Sequence, residues 1–244
     1  MTMPVLALAA TPRTARRAVA FLSVLGLGTE VVSWHRCADG VTPNALLATT
    51  PAVLQGLPAV PTAVWVDDHA SFRSAVSQDL EVVLSSHQWL VDHGAVHVPR
   101  AGIDVSRWPV CAPLARMAER DRLGLPEHLV VAVDHPRVTD DIATILAVAA
   151  AAVVTGPLVP LALAMGTPVI TSPETARRLG LHPGVEVEVV AGRQAADQAA
   201  RELAGDLDRA AAMSHRGRRF AEHHLDLSRP AAAVACRLGL DGGL

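Results

Sequence analysis

Polar side chains that could act on a substrate follow two apolar segments of this 244-residue sequence. Asp67 and His69 come after "TAVWV", and His135 and Arg137 come after "HLVVAVD". A carboxylate or imidazole at the carboxyl end of a strand can act as a general base, and an arginine can bind phosphate in a bidentate fork. We interpret Asp67 and His69 as candidate catalytic residues, and His135 and Arg137 as candidate phosphate ligands. The alternative for each is an ordinary solvated surface residue.

Two further segments place a helix start directly after an apolar segment. Thr155 and Gly156 follow "AAVV", and Thr11 and Arg13 follow "PVLALAA". The first backbone N–H groups of a helix have no intrahelical partner and carry partial positive charge, which suits a diphosphate. We therefore expect these four residues to contact such a group. The alternative is an ordinary helix start without a ligand.

The elements that must position these residues alternate along the chain. Short apolar segments such as "EVVSWH", "EVVLSS" and "TPVITS" are typical of strands, and helix-like stretches separate them. This alternation predicts an α/β fold with parallel sheets. It is interrupted at residues 109–125, a polar, proline-flanked stretch that we interpret as a linker between two halves, 1–108 and 126–225. Because ligands of such sheets bind beyond the carboxyl ends of the strands, we expect a cleft between the two halves.

Composition excludes several kinds of chemistry. All 21 basic residues are arginine, so Schiff-base chemistry and a phosphate-binding P-loop lysine are excluded. The net charge of −3 argues against nucleic-acid binding. The three cysteines and the histidines lack metal-ligand spacing, so we expect no metal site. We interpret the protein as cytoplasmic, because no apolar run could span a membrane and the N-terminus has no basic region typical of a signal peptide.

Two long stretches resemble a known family. "ALAMGTPVITSPETARRLGLHPGVEVEVVAG" is similar to the nucleotide-binding half of GT-B glycosyltransferases, where a helix ends at a glycine and a proline precedes the next strand. "VVLSSHQWLVDHGAVHVPRAGIDVSRWP" resembles the end of their first half. In it Gly102, Ile103 and Asp104 match the family pattern, and Trp108 stands where the family has phenylalanine. Together the matching pieces cover most of the chain.

The resemblance implies two Rossmann-like halves with an interdomain cleft, in which the second half binds a nucleotide sugar. It also implies that the final segment, 226–244, forms a helix that crosses back to the first half. The implied activity is transfer of a sugar from a nucleotide-diphosphate donor to an acceptor, with neither a cofactor nor a metal. In the family a histidine in the region of His69 lies near the sugar, and a glycine-rich loop near the donor phosphate corresponds to the segment of Thr11 and Arg13.

The sequence departs from the family at two carboxylates. Retaining members carry two glutamates eight residues apart, of which the second binds the ribose. Val153 and Leu161 occupy these positions here, and the segment "TGPLVP" is shortened. Either Glu174, directly after "VITSP", has taken over the ribose contact, or the donor is bound poorly.

Three interpretations are therefore open. The first is a metal-independent glycosyltransferase that acts on an unknown acceptor. The second is a catalytically degenerate GT-B-like protein that serves as a subunit, scaffold or ligand sensor. The third is an unrelated nucleotide-binding α/β protein. The sequence also leaves open a protein partner or a homo-oligomer.

Overall fold

The computed structural model describes residues 5–9, 21, 23–24, 29–33, 46–48, 62–66, 73, 75, 80, 82–99, 101–133 and 140–240. The chain is mixed α/β, and every strand pairing in the described ranges is parallel, which confirms the fold class that the alternation predicts. It divides into two compact units. One contains Met1–Arg100 and Leu227–Leu244, and the other contains Ala101–Asp226. The cleft expected between the two halves stays a prediction.

The first unit is built on a six-stranded sheet with the strand order β2-β1-β3-β4-β5-β6. Its core is apolar: Ala63 and Val64 in β4 and Val82 and Leu84 in β5 are almost inaccessible to solvent. A short helix, α1, connects β5 to β6. The elements are β1 Val5–Ala9, β2 Thr29–Ser33, β3 Leu46–Ala48, β4 Thr62–Trp65, β5 Val82–Ser85, α1 Gln88–Val91 and β6 Val96–His97.

The last helix of the chain, α8 (Ser228–Arg237), belongs to this first unit. Its buried side chains recur at helical spacing from Leu227 through Ala231 to Val234, and they join the core cluster that contains Trp65. The helix also contacts β6. An apolar stripe at this spacing is what a helix needs to pack on a sheet, so the chain returns to its first unit after completing the second.

The second unit is built on a four-stranded parallel sheet with the strand order β10-β9-β8-β7. Successive side chains of a strand point to opposite faces, and β8 shows this directly. Ala151 and Val153 belong to one apolar cluster, whereas Ala152 and Val154 belong to another. The strands are β7 Val130–Val133, β8 Ala151–Val154, β9 Val169–Thr171 and β10 Glu188–Val189.

Helices cover both faces of this sheet. Helices α3 and α4 pack on the face of Val154, and α6 packs on the face of Val153. No helix in the described ranges is long and apolar enough to cross a membrane. The helical elements are α2 Pro113–Arg122, α3 Asp140–Val148, α4 Leu158–Ala164, α5 Pro173–Leu179, α6 Arg193–Gly205, α7 Leu207–Phe220 and a π-helical turn, Ala221–Leu225.

The stretch 109–125 is interpreted as a linker from the sequence, and that role stays a prediction. Most of the stretch is helix α2, which is part of the second unit. Two of its arginines, Arg116 and Arg120, are each only 3% exposed. Part of the polarity of this stretch thus comes from two buried arginines that contact other segments, whereas Arg122 on the same helix is exposed.

The Arg116 guanidinium connects the ends of two helices. Its Nη1 donates to the Leu146 carbonyl at 3.0 Å, to the Ala149 carbonyl at 3.3 Å and to Thr167 Oγ1 at 3.0 Å. Its Nη2 donates to the Met165 carbonyl at 2.5 Å. Burial lowers the pKa of Arg116 to about 10, so the side chain still carries its charge at neutral pH.

We predict that Arg116→Met lowers the free energy of unfolding by about 3–5 kcal/mol, because several buried acceptors then lose their donor. Urea denaturation followed by circular dichroism measures this change. The control is Arg122→Met on the same helix, whose exposed pair with Glu119 should contribute little. If the two variants had the same free energy of unfolding, the buried hydrogen bonds of Arg116 would not stabilise the fold.

Helix α7 approaches α4 closely at Gly217. A Cβ atom at this position would lie 2.8 Å from Leu163 Cδ2 and 3.3 Å from the Glu186 carbonyl oxygen. An alanine at this position would therefore force the buried Leu163 side chain, or the backbone around it, to shift.

We predict that Gly217→Ala destabilises the protein by about 1–3 kcal/mol, the usual cost of overpacking. Gly205→Ala is the control, since a Cβ there meets no atom within 4 Å and alanine favours a helix. The same urea titration compares the two variants. If neither variant changed the free energy of unfolding, the close packing at Gly217 would be contradicted.

Candidate functional site

A pocket of about 410 Å³ lies at the carboxyl ends of the strands of the second sheet. Its floor is formed by Ala132, Val153 and Ile170, which are paired across β7, β8 and β9 and so point to the same face. The first turns of α6 form one wall. Ligands of open parallel sheets bind at this edge, so the fold places the pocket where a ligand is expected.

Three hydroxyl groups lie at the strand ends in this pocket. Thr171 Oγ1 donates to the Val154 carbonyl at 2.8 Å, and Ser172 Oγ accepts from the Thr175 backbone N–H at 3.2 Å as the N-cap of α5. These two groups are therefore already used to hold β8, β9 and α5 together. Thr155, directly after β8, is exposed in the pocket and available to a ligand.

The wall of the pocket carries one cation and one anion. Arg193 is the first residue of α6, and Asp197 lies one turn later on the same face of the helix. Within the ranges that the structure describes, neither the Arg193 guanidinium nor the Asp197 carboxylate has a side-chain partner. The pocket therefore offers an unpaired guanidinium and an unpaired, half-buried carboxylate to a ligand.

The N-terminus of α6 adds partial positive charge at the same place. No side chain caps this thirteen-residue helix, so its first N–H groups have no intrahelical partner. It begins after Gly192, whose φ of 87° and ψ of 153° are open to glycine but not to other residues. The glycine permits the chain to turn from β10 into a helix whose positive end faces the pocket.

The sequence-predicted residues fall into three groups. Thr155 lines the pocket, and its contact with a ligand stays a prediction. Gly156 (φ 58°) and Glu174 are not among the residues lining it, and Glu174 is exposed in the first turn of α5. The remaining predicted residues lie outside the part of the chain that the structure describes: Thr11, Arg13, Asp67, His69, His135 and Arg137.

The N-terminus of α4, which the sequence favours as a phosphate-binding site, has fewer free N–H groups than the N-terminus of α6. The N–H groups of Leu158 and Val159 donate to the carbonyl groups of Thr155 and Gly156, and all of α4 is buried. Sequence reasoning missed Arg193 and Asp197 on α6. The signal for them was "VVAGRQAAD", a glycine and an arginine directly after an apolar strand, with a carboxylate four residues later.

Comparison with solved structures identifies the fold. HepE from Anabaena, solved with UDP-glucose, matches with a TM-score of 0.59 and 13% identity over 97% of this chain and 99% of that chain. A glycosyltransferase from Rickettsia africae gives 0.55 and 7% over 100% of both chains. The sucrose-phosphate synthase of Thermosynechococcus elongatus gives 0.53 and 11% over 96% and 98%. The chain has a GT-B glycosyltransferase-like fold. No protein-family model and no curated protein matches the sequence.

Leu161 is the position at which the resemblance to GT-B glycosyltransferases implies a ribose-binding glutamate. Leu161 is fully buried in the core cluster of α4, together with Leu158 and Leu163. Val153, at the position of the other glutamate, is half-buried in the floor of the pocket. Leu161 therefore belongs to the apolar core, and Val153 belongs to the apolar floor of the pocket.

We predict that Leu161→Glu destabilises the protein by about 4 kcal/mol or more, because it buries a carboxylate without a partner. Leu161→Met is the control and should cost less than about 1.5 kcal/mol. Urea denaturation distinguishes the two. If Leu161→Glu were as stable as Leu161→Met, the position would have to be accessible to solvent or to a ligand.

Proposed function

We propose that the protein is a GT-B-type glycosyltransferase that moves a sugar from a nucleotide-diphosphate donor to an acceptor, and that it binds the donor in the pocket of the second unit. The observation that carries the proposal is the pocket itself, in a GT-B-like fold, with an unpaired arginine at a helix N-terminus. A volume of about 410 Å³ lies in the range of small-molecule sites. The solved structure of HepE with UDP-glucose supports this type of donor.

Each polar group of the pocket has a role in this proposal. Arg193 and the first N–H groups of α6 bind the diphosphate, since a guanidinium and a helix N-terminus both favour phosphate oxygens. The Asp197 carboxylate accepts hydrogen bonds from the ribose hydroxyl groups of the donor. Leu161 cannot do this, because its side chain has no polar atom. Thr155, which lines the pocket, supplies a further contact at the end of β8.

The residues that follow β7 extend the proposed site. Val133 lines the pocket and is the last residue of β7, and His135 and Arg137 follow it by two and four residues in the sequence. We propose that Arg137 adds a second guanidinium to the diphosphate, with His135 beside it. Positive charge from arginines and a helix N-terminus would stabilise the leaving diphosphate as its bond to the sugar breaks.

The first unit supplies the other proposed residues. Asp67 and His69 follow β4, and either can act as the base that takes the proton of the acceptor hydroxyl. Thr11 and Arg13 follow β1 and are proposed as further contacts to the donor phosphate. The acceptor is an unidentified molecule with a nucleophilic hydroxyl group.

We predict that UDP binds the wild-type protein and that Arg193→Gln and Asp197→Asn each weaken binding by about tenfold or more, the scale of a charge-assisted hydrogen bond. Calorimetry measures the dissociation constants, and a UDP-glucose hydrolysis or transfer assay measures activity. At about 100 times its Kd the ligand should stabilise the protein by about 2.7 kcal/mol.

Glu174→Gln is the discriminating variant in this experiment. Glu174 is exposed and does not line the pocket, so this change should leave UDP affinity unaltered if Asp197 holds the sugar hydroxyls. Loss of affinity in Glu174→Gln with no change in Asp197→Asn would instead assign the contact to Glu174. If UDP, GDP, ADP and TDP and their sugars all fail to bind at millimolar concentration, the donor site is refuted. The degenerate GT-B-like scaffold would then replace the enzyme.

A further inference from the structure

The end of α7 and the π-helical turn place five basic or aromatic residues on one face. Arg216, Arg219, Phe220, His223 and His224 follow the spacing i, i+3, i+4, i+7 and i+8, at which helical side chains are neighbours. All five line an open groove of about 240 Å³. A π-helical turn often occurs at a functional site, and here it carries the two histidines.

The positive charge of this groove is only partly neutralised by the lining, which has two arginines and one carboxylate. Its single carboxylate, Glu186, is engaged by His182, whose backbone N–H donates to Glu186 Oε2 at 2.7 Å and whose Nδ1 lies 3.2 Å from it. Arg216 uses only its Nε, which donates to the Val185 carbonyl at 3.0 Å. Arg219 is exposed and has no partner among the residues that the structure describes.

The neighbouring arginine shows what a structural role would look like. Arg218 points away from this set: its Nε donates to Glu222 Oε1 at 2.6 Å, and its Nη1 donates to the carbonyl groups of Trp108 and Ala164. Its side chain is only 17% exposed. The contacts of Arg218 therefore stabilise the fold, whereas Arg219 makes no contact of this kind among the described residues.

The groove also contains a fixed aromatic pair. The Phe220 and His224 rings are 4.7 Å apart between centroids, at an interplanar angle of 37°. This contact places the exposed His224 ring beside Phe220 in the lining of the groove.

We propose that this groove binds a phosphate group of a small molecule or of a lipid headgroup. Two guanidinium groups and two imidazoles offer more hydrogen-bond donors than a carboxylate, with two oxygens, can accept. A phosphate monoester has three oxygens and about −1.5 to −2 charges, which matches this excess. The groove shares no residue with the pocket at the strand ends, so this site is separate from the proposed donor site.

The test measures binding of inorganic phosphate and pyrophosphate by calorimetry and by histidine ring-proton NMR, and binding to phosphatidylcholine vesicles with and without phosphatidic acid. Arg219→Gln should weaken binding about tenfold or more, as expected for loss of one charge-assisted contact. Arg201→Gln, with the same charge change on the exposed face of α6, should bind like the wild type. Arg193→Gln shows whether phosphate bound in the pocket at the strand ends contributes to the measured binding.

Saturable phosphate or pyrophosphate binding that survives in Arg193→Gln and is weakened in Arg219→Gln supports a small-molecule ligand. Binding only to vesicles with phosphatidic acid, again weakened in Arg219→Gln, supports a lipid headgroup. Because Arg219 is exposed, the variant should keep the wild-type melting temperature and its affinity for UDP. Absence of saturable binding in both arms overturns the proposal, and so does equal binding by Arg219→Gln and Arg201→Gln.

Discussion

The second unit depends on one buried charge, the guanidinium of Arg116. The last carbonyl groups of a helix have no intrahelical donor, and a helix C-terminus carries partial negative charge. Arg116 donates to Leu146 and Ala149 at the end of α3 and to Met165 at the end of α4. These two helix ends lead directly into β8 and β9. A single side chain thus fixes where both strands begin, and the positions of their carboxyl ends, which form the pocket, follow from that.

Much of this architecture could be predicted from the sequence. "AAVV" and "TPVITS" contain β8 and β9. Gly166, the glycine of "ALAMGTPVITS" at which the family resemblance implies a helix end, has the positive φ of 68° that a helix-terminating glycine adopts. These features depend on local sequence. The position of helix α2 does not depend on local sequence alone. Its polar residues suggest a solvated segment, but Arg116 and Arg120 donate to backbone carbonyl groups inside the protein. The role of a buried arginine depends on acceptors that are distant in sequence.

The candidate site was predictable only in part for the same reason. Thr155 follows its strand directly, so the rule that ligands bind at strand ends was enough to select it. Arg193 and Asp197 begin a helix that comes after a strand of only two residues, and they reach the pocket because β10 pairs with β9. Strand order, which sequence alone did not provide, decides which loops share an edge.

A chain without lysine must use arginine for every fixed positive charge, whatever its role. Burial and partners separate the roles. Arg116 donates to the Met165 carbonyl and Arg218 to the Ala164 carbonyl, both at the end of α4, and such arginines hold the fold. Arg193 and Arg219 are exposed beside concave surfaces and have no partner among the described residues. Since a guanidinium forms strong paired hydrogen bonds with phosphate, the second kind is suited to bind anions. The sequence motif "RGRR" contains both kinds within one helical turn, because residues one position apart on a helix point in directions about 100° apart.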